Sequence, residues 1–186
     1  TDWIRERMYG GMDAAITERF ADLTLAAARG DLDHWAATAR GRLALLLVLD
    51  QFPRSLWRDT PAAYGQDIKA TRLALEGIAN GHVRAIQPWE RLFYIIALGH
   101  CEGPDHLDRI ALMDRLSEEL IAEMPDCLSA TGDRLRAQNA RGRAVIERFG
   151  RHPHRNSILG RVSTREEEAY IAAEDFPHLA PAPKPV

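Results

Sequence analysis

A chain of 186 residues, 46% hydrophobic and 27% charged, has the composition of a globular protein with a sizeable core. Its formal net charge of -3 and pI of about 6.2 create no field toward nucleic acid or anionic membranes. No unbroken apolar run, that of residues 43–49 included, is long enough to span a bilayer. Residues 1–6 are charged where the apolar core of a signal peptide would lie. Cys101 and Cys127 therefore read as reduced thiols of a cytoplasmic protein. Of the 24 basic residues only Lys69 and Lys184 are lysines, a bias that a GC-rich coding sequence produces without function. The informative arginines are those beside proline, histidine or glycine.

After a short opening segment, Gly10 and Gly11 break the chain, and Asp13 is expected to cap a helix over residues 14–29. Ile16, Phe20, Leu23 and Ala27 repeat on one face of it, and Gly30 ends it. Thr38 caps a helix from Ala39 to about Gln51, apolar on nearly every side between Leu43 and Leu49, which predicts a central buried helix. Asp50 falls in its last turn, against the negative end of the helix dipole. That position needs a cation or several donors nearby, and Arg54 and Arg58 are close in sequence. Thr60 and Pro61 predict the next helix start, with Tyr64, Ile68, Leu75 and Ile78 as its buried stripe and Asn80-Gly81 as its end. Pro88 opens a helix to Gly99 with Leu92, Phe93, Ile95 and Ile96 inside. A further helix carries Leu107, Ile110, Leu116, Leu120 and Ile121 up to Pro125.

A long helix then covers roughly 128–149, and Gly150 and Pro153 stop it. Ser163 and Glu166 have the spacing of a reciprocal capping box for a last helix over about 164–174. His154, Arg155, Asn156 and Arg161 thus sit on a short loop tethered at both ends. No segment alternates with a period of two, so the fold class is all-α, about seven to eight helices in antiparallel hairpins or an irregular bundle. One domain is expected over residues 1–176, followed by a proline-rich tail over 177–186.

Several motifs together, Leu49-Asp50-Gln51-Phe52-Pro53-Arg54, Arg58-x-Thr60-Pro61, Pro88-x-Glu90-Arg91-x-Phe93, His100-x-Glu102, Phe149-Gly150-Arg151-x-Pro153-His154-Arg155-Asn156 and Leu159-Gly160-Arg161-x-Ser163-Thr164-x-Glu166-Glu167, resemble the DUF924 family of uncharacterised, mostly bacterial proteins. The resemblance covers nearly the whole chain and implies an all-helical, tetratricopeptide-like arrangement of helix hairpins. It implies no established reaction. This chain departs from the family pattern at Ser55 (usually asparagine), Asp59 (often glycine), Ala97 (commonly proline), Cys101 (serine) and His152 (phenylalanine). Gly142 stands where a histidine is expected, which would make this a divergent or inactive member if that histidine is catalytic in relatives.

The motif residues lie at or near helix ends, and in stacked hairpins alternate ends share a side. Arg54, Arg58, Arg91, Arg151, Arg155, Asn156 and Arg161 are therefore candidates for binding a small anionic molecule, a carboxylate or phosphate, through guanidinium forks and helix N-termini. His154, His100 and Glu102 are the candidate catalytic acid–base groups, with Asp50 as structural support. Three other readings compete. The arginines staple helix ends together; the protein is a helical scaffold for a peptide or protein; or His100, Glu102, His152, His154 and Asp50 hold zinc or iron. His-x-His on a loop is a weak metal signal, so no metal ligand is assigned and the cofactor stays unknown. Nucleic acid and membrane are not expected partners, and a homo-oligomer is compatible with the sequence. Cys101 beside His100 is a poor thiolate candidate, because adjacent residues at a helix end point apart.

Overall fold

The structure, a computed structural model, describes residues 10–174, 176 and 177, and among these every regular element is helical. Of the tail expected over 177–186 all but Pro177 lies outside the described residues, as does the opening segment. The chain divides after Cys101 into two units.

The N-terminal unit begins with α1 (Asp13–Arg29), which ends at Gly30 with φ 94° and the glycine N–H on the Ala26 and Ala27 carbonyls. Asp13 is the first residue of the helix rather than its cap. Its carboxylate instead accepts from Arg58 at 2.9 Å. Thr38 starts α2 (Ala39–Leu46) by accepting from the Gly41 N–H at 3.1 Å. The helix then widens into a π turn, Leu47–Gln51, with the Phe52 N–H on the Leu47 carbonyl five residues back at 3.2 Å. Pro53 supplies the physical reason. It has no N–H to continue the α ladder, and its ring crowds the carbonyl four residues earlier. The chain resumes as α3 (Pro53–Leu56), then a 3₁₀ turn (Pro61–Tyr64), α4 (Asp67–Ala79), two more 3₁₀ turns (His82–Ala85 and Pro88–Arg91) and α5 (Leu92–His100).

α2, α4 and α5 pack on one another around Leu45, Leu46, Leu49, Ala74, Tyr94 and Leu98, each fully buried. The buried central helix is as the sequence predicts. The stripe on α4 is not: Ile68 is 77% exposed, and Ala70, Leu73, Ala74 and Gly77 face inward instead. A continuous helix from Thr60 would have carried its apolar phase through Tyr64 into Ile68, but the break at Gly65-Gln66 resets it. α5 buries Ile95 as expected, together with Tyr94, Ala97 and Leu98, whereas Leu92, Phe93 and Ile96 are half-buried after a 3₁₀ start. Asp59 has φ 61°, in the left-handed region that favours glycine.

In the C-terminal unit α6 (His106–Ala122) packs on α7 (Ser129–Phe149), joined by a 3₁₀ turn at Asp126–Leu128. Ile110, Met113, Leu120, Val145 and Ile146 are buried, and a buried Asn139-to-Ser117 hydrogen bond of 2.9 Å fixes the pairing of the two helices. Gly150 ends α7 at φ 67°, a 3₁₀ turn follows at Pro153–Arg155, and α8 (Arg165–Ala172) closes the described chain. The capping box is one residue later than the sequence suggests. Thr164 and Glu167 form it, while the Ser163 hydroxyl accepts from Asn156 at 3.0 Å.

Gly77 is where α4 comes closest to Arg42 and Tyr94. A Cβ there would lie 2.6 Å from both Arg42 Cδ and Tyr94 Cε1. Tyr94 is fully buried, and Arg42 is pinned to Ala36, Leu73, Glu76 and His82. Neither can yield, so Gly77→Ala is expected to lower unfolding free energy by about 1–3 kcal/mol, measured by urea denaturation.

Candidate functional site

The end of α5 and the π turn after α2 meet at a buried carboxylate. Asp50 is 1% exposed, and its Oδ1 lies 2.8 Å from His100 Nδ1. The Gln51 side-chain amide donates to its Oδ2, and Arg54 donates to its backbone carbonyl with a second guanidinium contact of 3.5 Å to Oδ1. The other edge of Arg54 forks onto Asp67, at 2.8 and 3.0 Å to the two carboxylate oxygens. Asp67, itself buried in the first turn of α4, is a member of the cluster that sequence reasoning missed. An acid there reads as ordinary helix-dipole complementation.

The charge states follow from this geometry. Burial alone would raise the Asp50 pKa. The nearby His100 and Arg54, with donated hydrogen bonds from His100 and Gln51, outweigh it and hold the carboxyl well below its ordinary range. An ionised carboxylate only accepts, so His100 Nδ1 must carry the proton. Burial is the largest influence on His100 and lowers its pKa, and the Arg54 charge adds to that, against the opposing pull of Asp50. The imidazole is neutral at pH 7, with the proton on Nδ1 and Nε2 as the basic nitrogen. Its side chain retains 27% exposure.

The remaining motif residues of this unit are placed elsewhere. Arg58 pairs with Asp13, which ties α1 to the loop after α3. Arg91 ends the 3₁₀ turn before α5, so it is nine residues from His100, ~13 Å along the helix. Of the residues singled out in the sequence, Asp50, Arg54 and His100 are brought together here.

In the C-terminal unit the loop residues form a second network. Glu102 accepts the His152 backbone N–H at 2.7 Å and the Arg161 guanidinium. Burial would raise its pKa, but Arg161, the His152 N–H and the Arg155 charge together lower it. Arg161 also donates to the His152 carbonyl at 3.1 Å, closing the loop on itself. Arg151 forks onto Glu167 at 2.6 and 2.8 Å and reaches the Val162 carbonyl at 3.1 Å. Those bonds from Arg151, with the Thr164 N–H, pull the Glu167 pKa down to about 2 despite burial. Arg155 is 5% exposed and Asn156 1%. The His154 ring sits 5.5 Å from His152 and 5.3 Å from Phe176, and His152 is 5.4 Å from His106. A carboxylate held as an ion by a guanidinium is a poor proton donor, so this arrangement does not favour the acid–base role expected of Glu102. Among the described residues no group of three His, Cys, Asp or Glu is placed to hold a metal ion, and no helix is long and apolar enough to cross a membrane.

Fold and site define an all-helical protein in which a buried aspartate orients a histidine at a helix end. The chain belongs to the family described as bacterial proteins of unknown function, DUF924, whose model matches residues 2–175. It is similar to a solved structure, a protein of unknown function from Agrobacterium tumefaciens, with 34% identity over 88% of this chain and 85% of that one, at a TM-score of 0.72. Comparison with the curated proteins gives no match.

Removing the Asp50 carboxylate takes the acceptor from the His100 Nδ1–H and leaves Arg54 with Asp67 alone of its two carboxylates. Asp50→Ala is expected to cost about 3–5 kcal/mol in denaturant unfolding, and Asp50→Asn less, since the amide keeps an acceptor. Folding holds the pKa values of both Asp50 and His100 below their ordinary positions, so the unfolded chain takes up protons first and stability rises with pH. The His100 contribution is complete above about pH 6.5 and declines as pH falls below it; the Asp50 contribution declines below about pH 4. Thermal unfolding between pH 7.5 and 5 is expected to show a smaller loss in His100→Gln than in the unaltered protein.

Proposed function

We propose that this protein is a cytoplasmic enzyme in which His100 moves a proton to or from a small metabolite, held in place by Asp50. The observation that carries the reading is the 2.8 Å bond from His100 Nδ1 to a carboxylate 1% exposed and anchored from Gln51 and Arg54. A carboxylate on Nδ1 fixes the ring and its tautomer, presents Nε2 as the base and stabilises the imidazolium that forms after proton transfer. A pKa below its ordinary value keeps His100 in the base form at neutral pH. The π turn places Asp50 where a regular helix would not, and such turns are frequent at functional sites.

The anionic ligand expected from the motif arginines has less support. Arg54, Arg58, Arg151 and Arg161 each engage a carboxylate of this chain. Beside His100, Arg54 is shared between Asp50 and Asp67, so its charge is already engaged within the chain. The substrate class we favour is a small molecule with an acidic O–H, N–H or activated C–H. The pairings give the arginines the stapling role of the alternative reading, in which the protein is a non-catalytic scaffold for a peptide or protein. The buried dyad favours the enzyme over that scaffold, because stapling needs no imidazole held in one tautomer.

The test is incubation of a metabolite extract with the purified protein, followed by mass spectrometry, beside His100→Gln and Asp50→Asn. The unaltered protein is expected to change at least one metabolite. His100→Gln should slow that change about 10²–10⁴-fold, and Asp50→Asn by a comparable factor. An extract in which the unaltered protein converts nothing that His100→Gln spares would overturn the proposal.

A further inference from the structure

One face of α7 in the C-terminal unit carries a site that the acid–base reading does not use. Arg141, Ala144, Val145, Arg148 and Phe149 follow one another at helical spacing and, with Tyr170 of α8 and Pro177, line a hollow of about 210 Å³. Its floor is apolar: Val145 is 7% exposed, and the Phe149 and Tyr170 rings lie 5.2 Å apart. A second hollow of about 370 Å³, lined by Arg148, Phe149, Arg151, Thr164, Glu166 and Glu167, shares Arg148 and Phe149 with the first. An apolar slot thus opens beside a charged one, with Arg148 at the junction and its guanidinium 4.8 Å over the Phe149 ring.

The two arginines of the charged side are held very differently. Arg151 is committed, because Glu167 is 2% exposed, forks onto it and also completes the cap of α8. Arg148 meets Glu166 through Nε at 2.8 Å and Nη2 at 2.6 Å, both to Oε1, with both side chains more than half exposed. An exposed pair of this kind contributes little and exchanges readily. Its geometry also shows which anion the fork takes: Glu166 already presents a carboxylate there. A doubly charged phosphate would meet repulsion from Glu166 and Glu167 together, whereas a single carboxylate replaces Glu166 one for one.

The geometry points to a binding site for a small carboxylic acid with an aromatic or branched apolar body. The body lies on Val145, Phe149 and Tyr170, and the carboxylate displaces Glu166 from Arg148.

Phenylacetate is the probe, with benzyl alcohol and phenethylamine as neutral and cationic controls, followed by amide chemical shifts on the full chain. Phenylacetate is expected to shift residues 144–149 and 170 with a dissociation constant at or below about 1 mM, and the controls to bind about tenfold more weakly or worse. Arg148→Ala, on an exposed side chain, should weaken phenylacetate about tenfold, and Ala144→Trp should block it. Glu166→Gln should tighten it several-fold by removing the internal competitor, an outcome that a merely structural ion pair does not predict. No saturable shift at about 10 mM, or an affinity indifferent to Arg148 and Glu166, would overturn the assignment.

Discussion

The N-terminal unit depends on a carboxylate held where a carboxylate is least favoured. Asp50 sits at the C-terminal end of the buried helix, where orphan carbonyls repel it and solvent does not reach it. Its burial is tolerable only because donors approach from three directions, and each donor belongs to a different segment. Gln51 comes from the π turn itself, Arg54 from α3 and His100 from the end of α5. Arg54 then passes the constraint to α4 through Asp67. One costly group therefore fixes the ends of several helices relative to one another, which apolar packing along their lengths leaves freer.

The C-terminal unit solves a different problem with the same residue types. The chain between α7 and α8 has little apolar content with which to hold itself in place, and arginine forks do that work instead. Arg161 closes the loop on Glu102 and the His152 carbonyl, and Arg151 joins the start of the loop to the start of α8. Guanidinium suits this role because it can bond a carboxylate and a backbone carbonyl in the same plane, which an ammonium does only as a point charge. Salt bridges here serve to specify a loop conformation more than to add stability.

Much of the fold was legible in the sequence, since helix punctuation is local chemistry. Thr38, Gly30, Pro88 and Gly150 act where their conformational preferences say they should. The misreadings came where a helix was broken without a strong signal. Gly65-Gln66 resets the phase of α4, so Ile68 turns outward, and choosing between Ser163 and Thr164 as cap depends on a one-residue register. For the site, the sequence marked Asp50 as unusual, because a carboxylate late in a buried helix demands partners, and it offered Arg54 and Arg58. Arg54 is one, Arg58 pairs with Asp13 instead, and His100, a candidate on other grounds, was not foreseen as the partner. It could not say that Asp67 joins them, because a first-turn acid is common. Nor could it show that Arg58, Arg151 and Arg161 meet carboxylates of the same chain, because pairing across tens of residues leaves no local mark.

The π turn at Leu47–Gln51 has one more consequence. Each residue of an α-helix advances the direction of its neighbours by about 100°, and a single π turn takes up one residue more than an α turn does. The direction in which Asp50 and everything after it points is therefore set by the number of residues before Pro53 as much as by which residues they are. A relative with the same Asp, Arg and His, but one residue fewer in this turn, would carry the whole motif and aim its carboxylate away from the histidine. Within such a family, the length of this segment distinguishes members that share the site from members that share only its letters.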